Sequence, residues 1–170
     1  MLYLNFIDFE KAFDSADRES VWSILKIITI VQLLYENYTC SVGHNGRLSD
    51  WFIVISGVSQ GCGMSGFLFL IVIDWVMCRV TDREMHGIQW SLNERLGDLD
   101  FADDIVLLSH TQKHVQKKTE DLELYGGRVG LKPSIGKSKV MARNNRSNTP
   151  IQILGTDLQQ AFYKLRPVLS

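Results

Sequence analysis

Proline is scarce in this 170-residue chain, with three in all, and so is cysteine, also with three. Cys40, Cys62 and Cys78 are odd in number and form no CxxC pair, so neither a disulfide framework nor a zinc site is suggested. This usage sets the expectation of a reducing, intracellular setting, nucleus or cytoplasm. A surplus of positive charge is missing too: eighteen Lys and Arg stand against nineteen Asp and Glu, a net charge of −1. Phosphate binding is driven by basic surface. A chain with this balance either does not hold nucleic acid or has its basic parts clustered or elsewhere. The start, MLYLNFIDFEKAFD, has no basic region ahead of an apolar one and does not read as a signal peptide. The apolar run Phe67–Ile73 continues past Asp74 to Cys78, is too short to span a bilayer and carries a charge. A buried core helix is expected there, and no membrane partner. Internal repeats and low-complexity tracts are also lacking.

Apolar residues make up 45% of the chain, enough for one domain with a proper core. Residues 2–9 (LYLNFIDF) read as a strand. Asp14 or Ser15 is placed to cap a helix over about 16–27, with Asp17 and Glu19 where the helix dipole favours acids. Residues 28–37 continue as a second short helix. Asn45-Gly46 signals a hairpin between 39–46 and 51–56, with a connection longer than two residues. Four glycines in ten positions make 57–66 a loop, and 67–80 follows as a helix. Then come a weak strand at 88–92, an acidic hairpin at 98–109 and a polar helix over 111–129. That helix has a rough stripe of Val115, Leu122, Tyr125 and Val129 and a stop at Gly130. A strand at 138–143, a linker at 146–150 and a short strand at 151–154 complete the order. It predicts an α+β fold, a mostly antiparallel sheet with helices packed on one face. Trp22, Trp51, Trp75 and Trp90 are expected in the core or at its rim, and Asp74 as a helix-packing or capping partner.

The acids carry the chemistry. Asp8 sits in an apolar strand, where Asp is depleted and costly to bury unpaired; a strand-end Asp facing water is the plainer reading. Asp103-Asp104 lie between the apolar runs LDFA and IVLL, which suits an ordinary turn. Two adjacent like charges nevertheless repel each other, and Asp98 and Asp100 are close by. A divalent cation would relieve that repulsion, and carboxylates are the ligands Mg²⁺ prefers. Two-metal phosphoryl transfer uses such a set, with cations about 3.5–4 Å apart. His110 and His114 have helical spacing but no HExxH, and are not read as ligands.

Four strings then fall in order: FIDFEKAFD (6–14), GVSQGCGMSGFLFLIVIDW (57–75), LDFADDIVLLS (99–109) and GLKPSIGKSKVM (130–141). Together they resemble the successive palm motifs of LINE-type, non-LTR retrotransposon reverse transcriptases. The resemblance implies an RNA-directed DNA polymerase palm working with two Mg²⁺ or Mn²⁺ ions on an RNA template, a DNA primer and deoxynucleoside triphosphates. It implies Asp8, Asp103 and the neighbouring Asp104 as catalytic metal ligands. It puts the backbone at Ile7, Phe9 and Glu10 near the incoming triphosphate. Phe13 matches the bulky residue that excludes a ribose 2′-hydroxyl, and Gln60 and Gly61 match the loop against template and nascent base pair. Lys137 or Lys139 matches the lysine that assists pyrophosphate departure; the choice stays open.

Departures from the pattern qualify the activity. Ser59 stands where a basic residue is usual, Gly66 where proline is usual, and Ser134 where an amide is usual; the segment between Lys26 and Leu33 looks shortened. The resemblance assigns 1–145 to the palm, with fingers absent, and 146–170 to a linker and the start of a thumb or connection region. Its implied partners therefore include the missing fingers and thumb of a longer protein. The alternative expectation is a truncated, catalytically inactive remnant of that domain.

Overall fold

The computed structural model describes residues 2–25, 32–33, 35–59, 62–81, 87–92, 94–143 and 149–161. In chain order its elements are β1 (Leu2–Ile7), α1 (Ala12–Ser15), α2 (Arg18–Leu25), β2 (Thr39–Cys40), β3 (Gly43–His44), β4 (Arg47–Leu48), β5 (Phe52–Ile53), α3 (Gly63–Thr81), β6 (Ile88–Gln89), β7 (Arg95–Leu96), β8 (Asp98–Phe101), β9 (Asp104–Ser109), α4 (Gln112–Arg128), β10 (Lys139–Arg143), β11 (Gln152–Ile153), β12 (Thr156–Asp157) and β13 (Gln159–Gln160). The fold is α+β. Its main sheet has the order β13-β10-β1-β9-β8, and every pairing is antiparallel except β13 with β10.

Strand β1 is central because it is apolar on both faces. Tyr3, Asn5 and Ile7 are buried and Leu2, Leu4 and Phe6 half-buried. Helix α4 lies across β1 and β9 and packs on α3. Asn5, fully buried, donates from Nδ2 to Thr119 Oγ1 of α4 at 2.7 Å. Helix α3 has the length and composition of a membrane span. Its Phe69, Val72, Ile73, Val76, Met77 and Val80, however, belong to the same core as Tyr3, Ile7 and Leu107, as expected of a core helix.

Several local expectations are corrected. The helix expected at 16–27 is seen as α2 over Arg18–Leu25, after a separate short helix α1 at Ala12–Ser15, and its cap is neither Asp14 nor Ser15: Asp17 Oδ2 accepts from Ser20 N at 2.8 Å ahead of α2. Of residues 28–37, where a second short helix was expected, 28–31 and 34 lie outside the described residues. Asn45 and Gly46 form a tight two-residue turn between β3 and β4, both with positive φ, which suits the twist of a hairpin. Trp51 and Trp90 are exposed rather than packed, and Asp74 is on the exposed side of α3. Residues 151–161, set apart by sequence, pack here into the same core through Ile151, Ile153 and Leu158, and β13 extends the sheet.

Candidate active site

The last pair of the β1–β9 ladder is Ile7 with Ile105. One step further along that register, Asp8 leaves β1 opposite Asp104. The β8–β9 hairpin closes at Phe101 and Asp104 through Ala102 and Asp103. Asp8, Asp103 and Asp104 thus gather at one end of neighbouring strands. Asp103 is half-buried and Asp104 exposed. Ala102 takes φ 56°, a conformation L-residues avoid, so the turn carrying Asp103 is held against local preference.

The last of the four sequence motifs wraps Asp8. Ser134 N donates to Asp8 O at 2.6 Å, and Asp8 N donates to Ser138 Oγ at 3.3 Å. Phe9 bridges to Pro133, and Glu10 N donates to Lys132 O at 2.8 Å, so that amide is already engaged. The Phe9 side chain is core. Lys137 Nζ lies 3.2 Å from Asp8 Oδ1. That oxygen is shielded from solvent and has no aligned hydrogen bond among the described residues. Lys139 is exposed on β10, across from Phe6. Of the two candidate lysines, Lys137 is the one standing at Asp8.

Among the described residues, no group of three or more His, Cys, Asp or Glu side chains could hold a metal ion. The donor set nevertheless suits Mg²⁺, which is bound through one or two carboxylates and keeps waters and substrate phosphates as further ligands. The shielded Asp8 Oδ1 makes no aligned hydrogen bond among the described residues and faces a positive charge, the Lys137 ammonium at 3.2 Å, as a carboxylate ligand of a cation would.

Phe13 is half-buried and stacks on Phe69, with ring centroids 4.4 Å apart. Gln60 and Gly61 lie outside the described residues. The chain leading to them is fixed: Val58 N donates to Phe13 O and Gly57 N to Ala16 O. Two positioning residues escaped the sequence reading. Buried Arg18 donates to Gly57 O at 2.8 Å and Val54 O at 2.6 Å. Buried Lys118 donates to Gly97 O at 2.7 Å and Leu108 O at 3.0 Å, tying the base of the β8–β9 hairpin to α4. Lys118 had a signal: with Val115, Thr119 and Leu122 it falls on one helical stripe. Arg18 had none.

Burial holds the Lys118 ammonium below the usual lysine range, and Asp98 partly offsets this. Burial likewise pushes the Asp98 carboxyl up; Asp100 adds to the rise and Lys118 opposes it. With a folded value above the unfolded one, the Asp98 charge is a cost that is absent at low pH and grows as pH rises through the folded value. Asp98→Asn is expected to match the parent's stability near pH 4 and to exceed it at pH 7 by less than about 1 kcal/mol, since Asp98 is partly solvated. Urea midpoints at the two pH values check this. A loss at pH 7 would mean that attraction to Lys118 outweighs burial.

The model of the family described as reverse transcriptase (RNA-dependent DNA polymerase) matches residues 2–158. The retrovirus-related Pol polyprotein from type-1 retrotransposable element R2 of Nasonia vitripennis is 32% identical, over 72% of this chain and 12% of that protein. The Pol polyprotein from type-2 element R2DM of Drosophila melanogaster is 28% identical, over 95% of this chain and 15% of that protein. The chain thus spans about an eighth of the length of the curated relatives it matches. Among solved structures, apo telomerase from Candida tropicalis superposes with a TM-score of 0.62 at 20% identity, covering 93% of this chain and 34% of that one. This shows a shared fold.

Proposed function

This chain belongs to the reverse transcriptase (RNA-dependent DNA polymerase) family, as a domain of the non-LTR retrotransposon type, and from that premise we propose that it is the catalytic palm of such an enzyme. It joins deoxynucleoside triphosphates to a DNA primer on an RNA template. Asp8 and Asp103 are the carboxylates that hold Mg²⁺ or Mn²⁺, with Asp104 adding negative charge beside them. Held there by Asp8 and Asp103, two such cations would supply the Lewis acidity that activates a primer 3′-hydroxyl and the charge that offsets a departing pyrophosphate. Phe13, braced by Phe69, presents bulk where a ribose 2′-hydroxyl would sit. Gln60 and Gly61 meet the template side of the nascent pair. The Phe9 backbone and the ammonium of Lys137 lie on the triphosphate side; Lys139 is the first residue of β10, across from Phe6.

One observation carries this reading: Asp8, whose shielded oxygen is met by the Lys137 ammonium alone, stands at a strand end beside the strand that starts from the Asp103–Asp104 turn. The test is Mn²⁺ binding followed by electron paramagnetic resonance. Asp8→Asn and Asp103→Asn are each expected to weaken binding by about tenfold or more. Equal affinity in parent and both variants would refute a shared site.

The net charge of −1 favours a second reading. In it, this palm holds the metal but grips template too weakly to extend a primer alone, because nucleic-acid affinity rests on basic surface and falls with salt. Mn²⁺ binding without extension of a primed RNA at physiological salt is the expected result. Extension that disappears in Asp103→Asn would favour full activity of the chain by itself.

A further inference from the structure

Resting on the metal site proposed above, we propose that Lys137 is the internal occupant of that site: its ammonium and a divalent cation compete for the same oxygen of Asp8. The geometry supports this at each step. Lys137 Nζ is 3.2 Å from Asp8 Oδ1. That oxygen is closed to solvent and makes no hydrogen bond among the described residues, so the ammonium is the charge that neutralises it. A dication on the same carboxylate oxygen as the ammonium would bring two like charges together, so each cation weakens the hold of the other.

Lys137 is built to leave. Its side chain is 71% exposed, against 28% for Asp8. The preceding Gly136 faces open space, with nothing within 4 Å of where a Cβ would stand. The backbone on either side is anchored independently: Ser134 N holds Asp8 O, Ser138 Oγ receives Asp8 N, and Ser138 N donates to Ser134 O. The lysine can therefore swing out while the strap that positions Asp8 stays in place. Asp8 is held in its metal-binding pose by backbone bonds and kept electrically quiet by a removable side chain. The consequence is a metal affinity set below what the carboxylates alone would give. An anion that draws Lys137 away, such as the phosphates of an incoming nucleotide, would raise it, and by linkage the metal would favour that anion equally.

The experiment is Mn²⁺ titration of the purified chain without nucleotide, read by electron paramagnetic resonance. Lys137→Gln is expected to bind Mn²⁺ about three- to tenfold more tightly than the parent, because a competitor has been removed. Lys137→Arg, which keeps the charge, is expected to stay within about twofold of the parent. In an Asp8→Asn background the Lys137→Gln gain should vanish, which closes the cycle on that one contact. A merely structural lysine would lower affinity or leave it unchanged when removed. Lys137→Gln binding no more tightly than the parent, while Asp8→Asn still weakens the parent, would overturn the competition and leave the metal site standing. Mn²⁺ binding that does not depend on Asp8, or none in any variant, would overturn the metal site and the competition together.

Discussion

Gly130→Ala is expected to destabilise the chain by about 3 kcal/mol or more. Gly130 follows α4 with φ +81°, and its N–H and that of Leu131 bond back to Gly127 O and Gly126 O, closing the helix in a left-handed cap. An L-residue there costs about 1–2 kcal/mol in backbone strain. Its Cβ would also collide with Ser15 O and stand 2.9 Å from Asp17 N. Both are backbone atoms, and the approach is pinned: Asp17 N donates to Val129 O at 2.8 Å and Ser20 Oγ to Arg128 O at 3.0 Å. Making room costs about 1–3 kcal/mol more. Gly127→Ala, three positions earlier, is the contrast. It sits inside α4 with nothing within 4 Å of a new Cβ, so alanine's helix preference should stabilise by up to about 1 kcal/mol. Denaturant midpoints of the two variants should therefore move in opposite directions. Movement in the same direction would contradict the cap.

Arg18→Ala is expected to cost about 3 kcal/mol. The guanidinium is buried, donates to two carbonyls of the 54–57 chain, and lies 4.9 and 5.6 Å from the ring centroids of Tyr35 and Tyr38. Truncation strands Val54 O and Gly57 O and opens a gap between the rings. Charge-assisted bonds of this kind contribute about 1.5–3 kcal/mol each, less the considerable cost of burying the cation. That cost is visible twice: burial lowers the Arg18 pKa, and Nη2 has no hydrogen-bond partner among the described residues. Arg18→Lys should lose about half as much, since one ammonium replaces a rigid fork. Hydrogen exchange gives the local readout. The amides of Gly57 and Val58, bonded to Ala16 O and Phe13 O, should lose protection in Arg18→Lys before the sheet does. A stability within about 0.5 kcal/mol of the parent in Arg18→Ala would mean the guanidinium is solvated.

What sequence revealed follows range. Strand β1, the β8–β9 hairpin and α4 are legible because their periodicities are local. The acids stand out because they interrupt apolar runs. That Asp8 and the 103–104 turn share a sheet end needed only β1 beside β9. The strap over Asp8 was not legible, since Ser138 and Asp8 are 130 positions apart and no local pattern encodes the contact. For the same reason, sequence left Lys137 and Lys139 equal, whereas the turn before β10 separates them. Short strands such as β3, β4 and β11–β13 carry too few residues to show alternation. Trp51 and Trp90 were misplaced because an aromatic's preference for burial is a tendency, and those two lie beside two-residue strands that offer no core.

The position of β1 between β9 and β10 also fixes an order of events during synthesis. The strand leading to Asp8 is made before both of its partners, Ile105–Ser109 and Lys139–Arg143. At about 5–20 residues per second, a ribosome reaches the second partner roughly 7–26 s after finishing β1. Until Ser109 is made LYLNFI has neither of these partners, until residue 139 it has only one, and closing such distant pairs is slow once they exist. The strand that leads to Asp8 is therefore left long without its partners, and a nascent chain released before residue 139 would carry it with one of its two edges open.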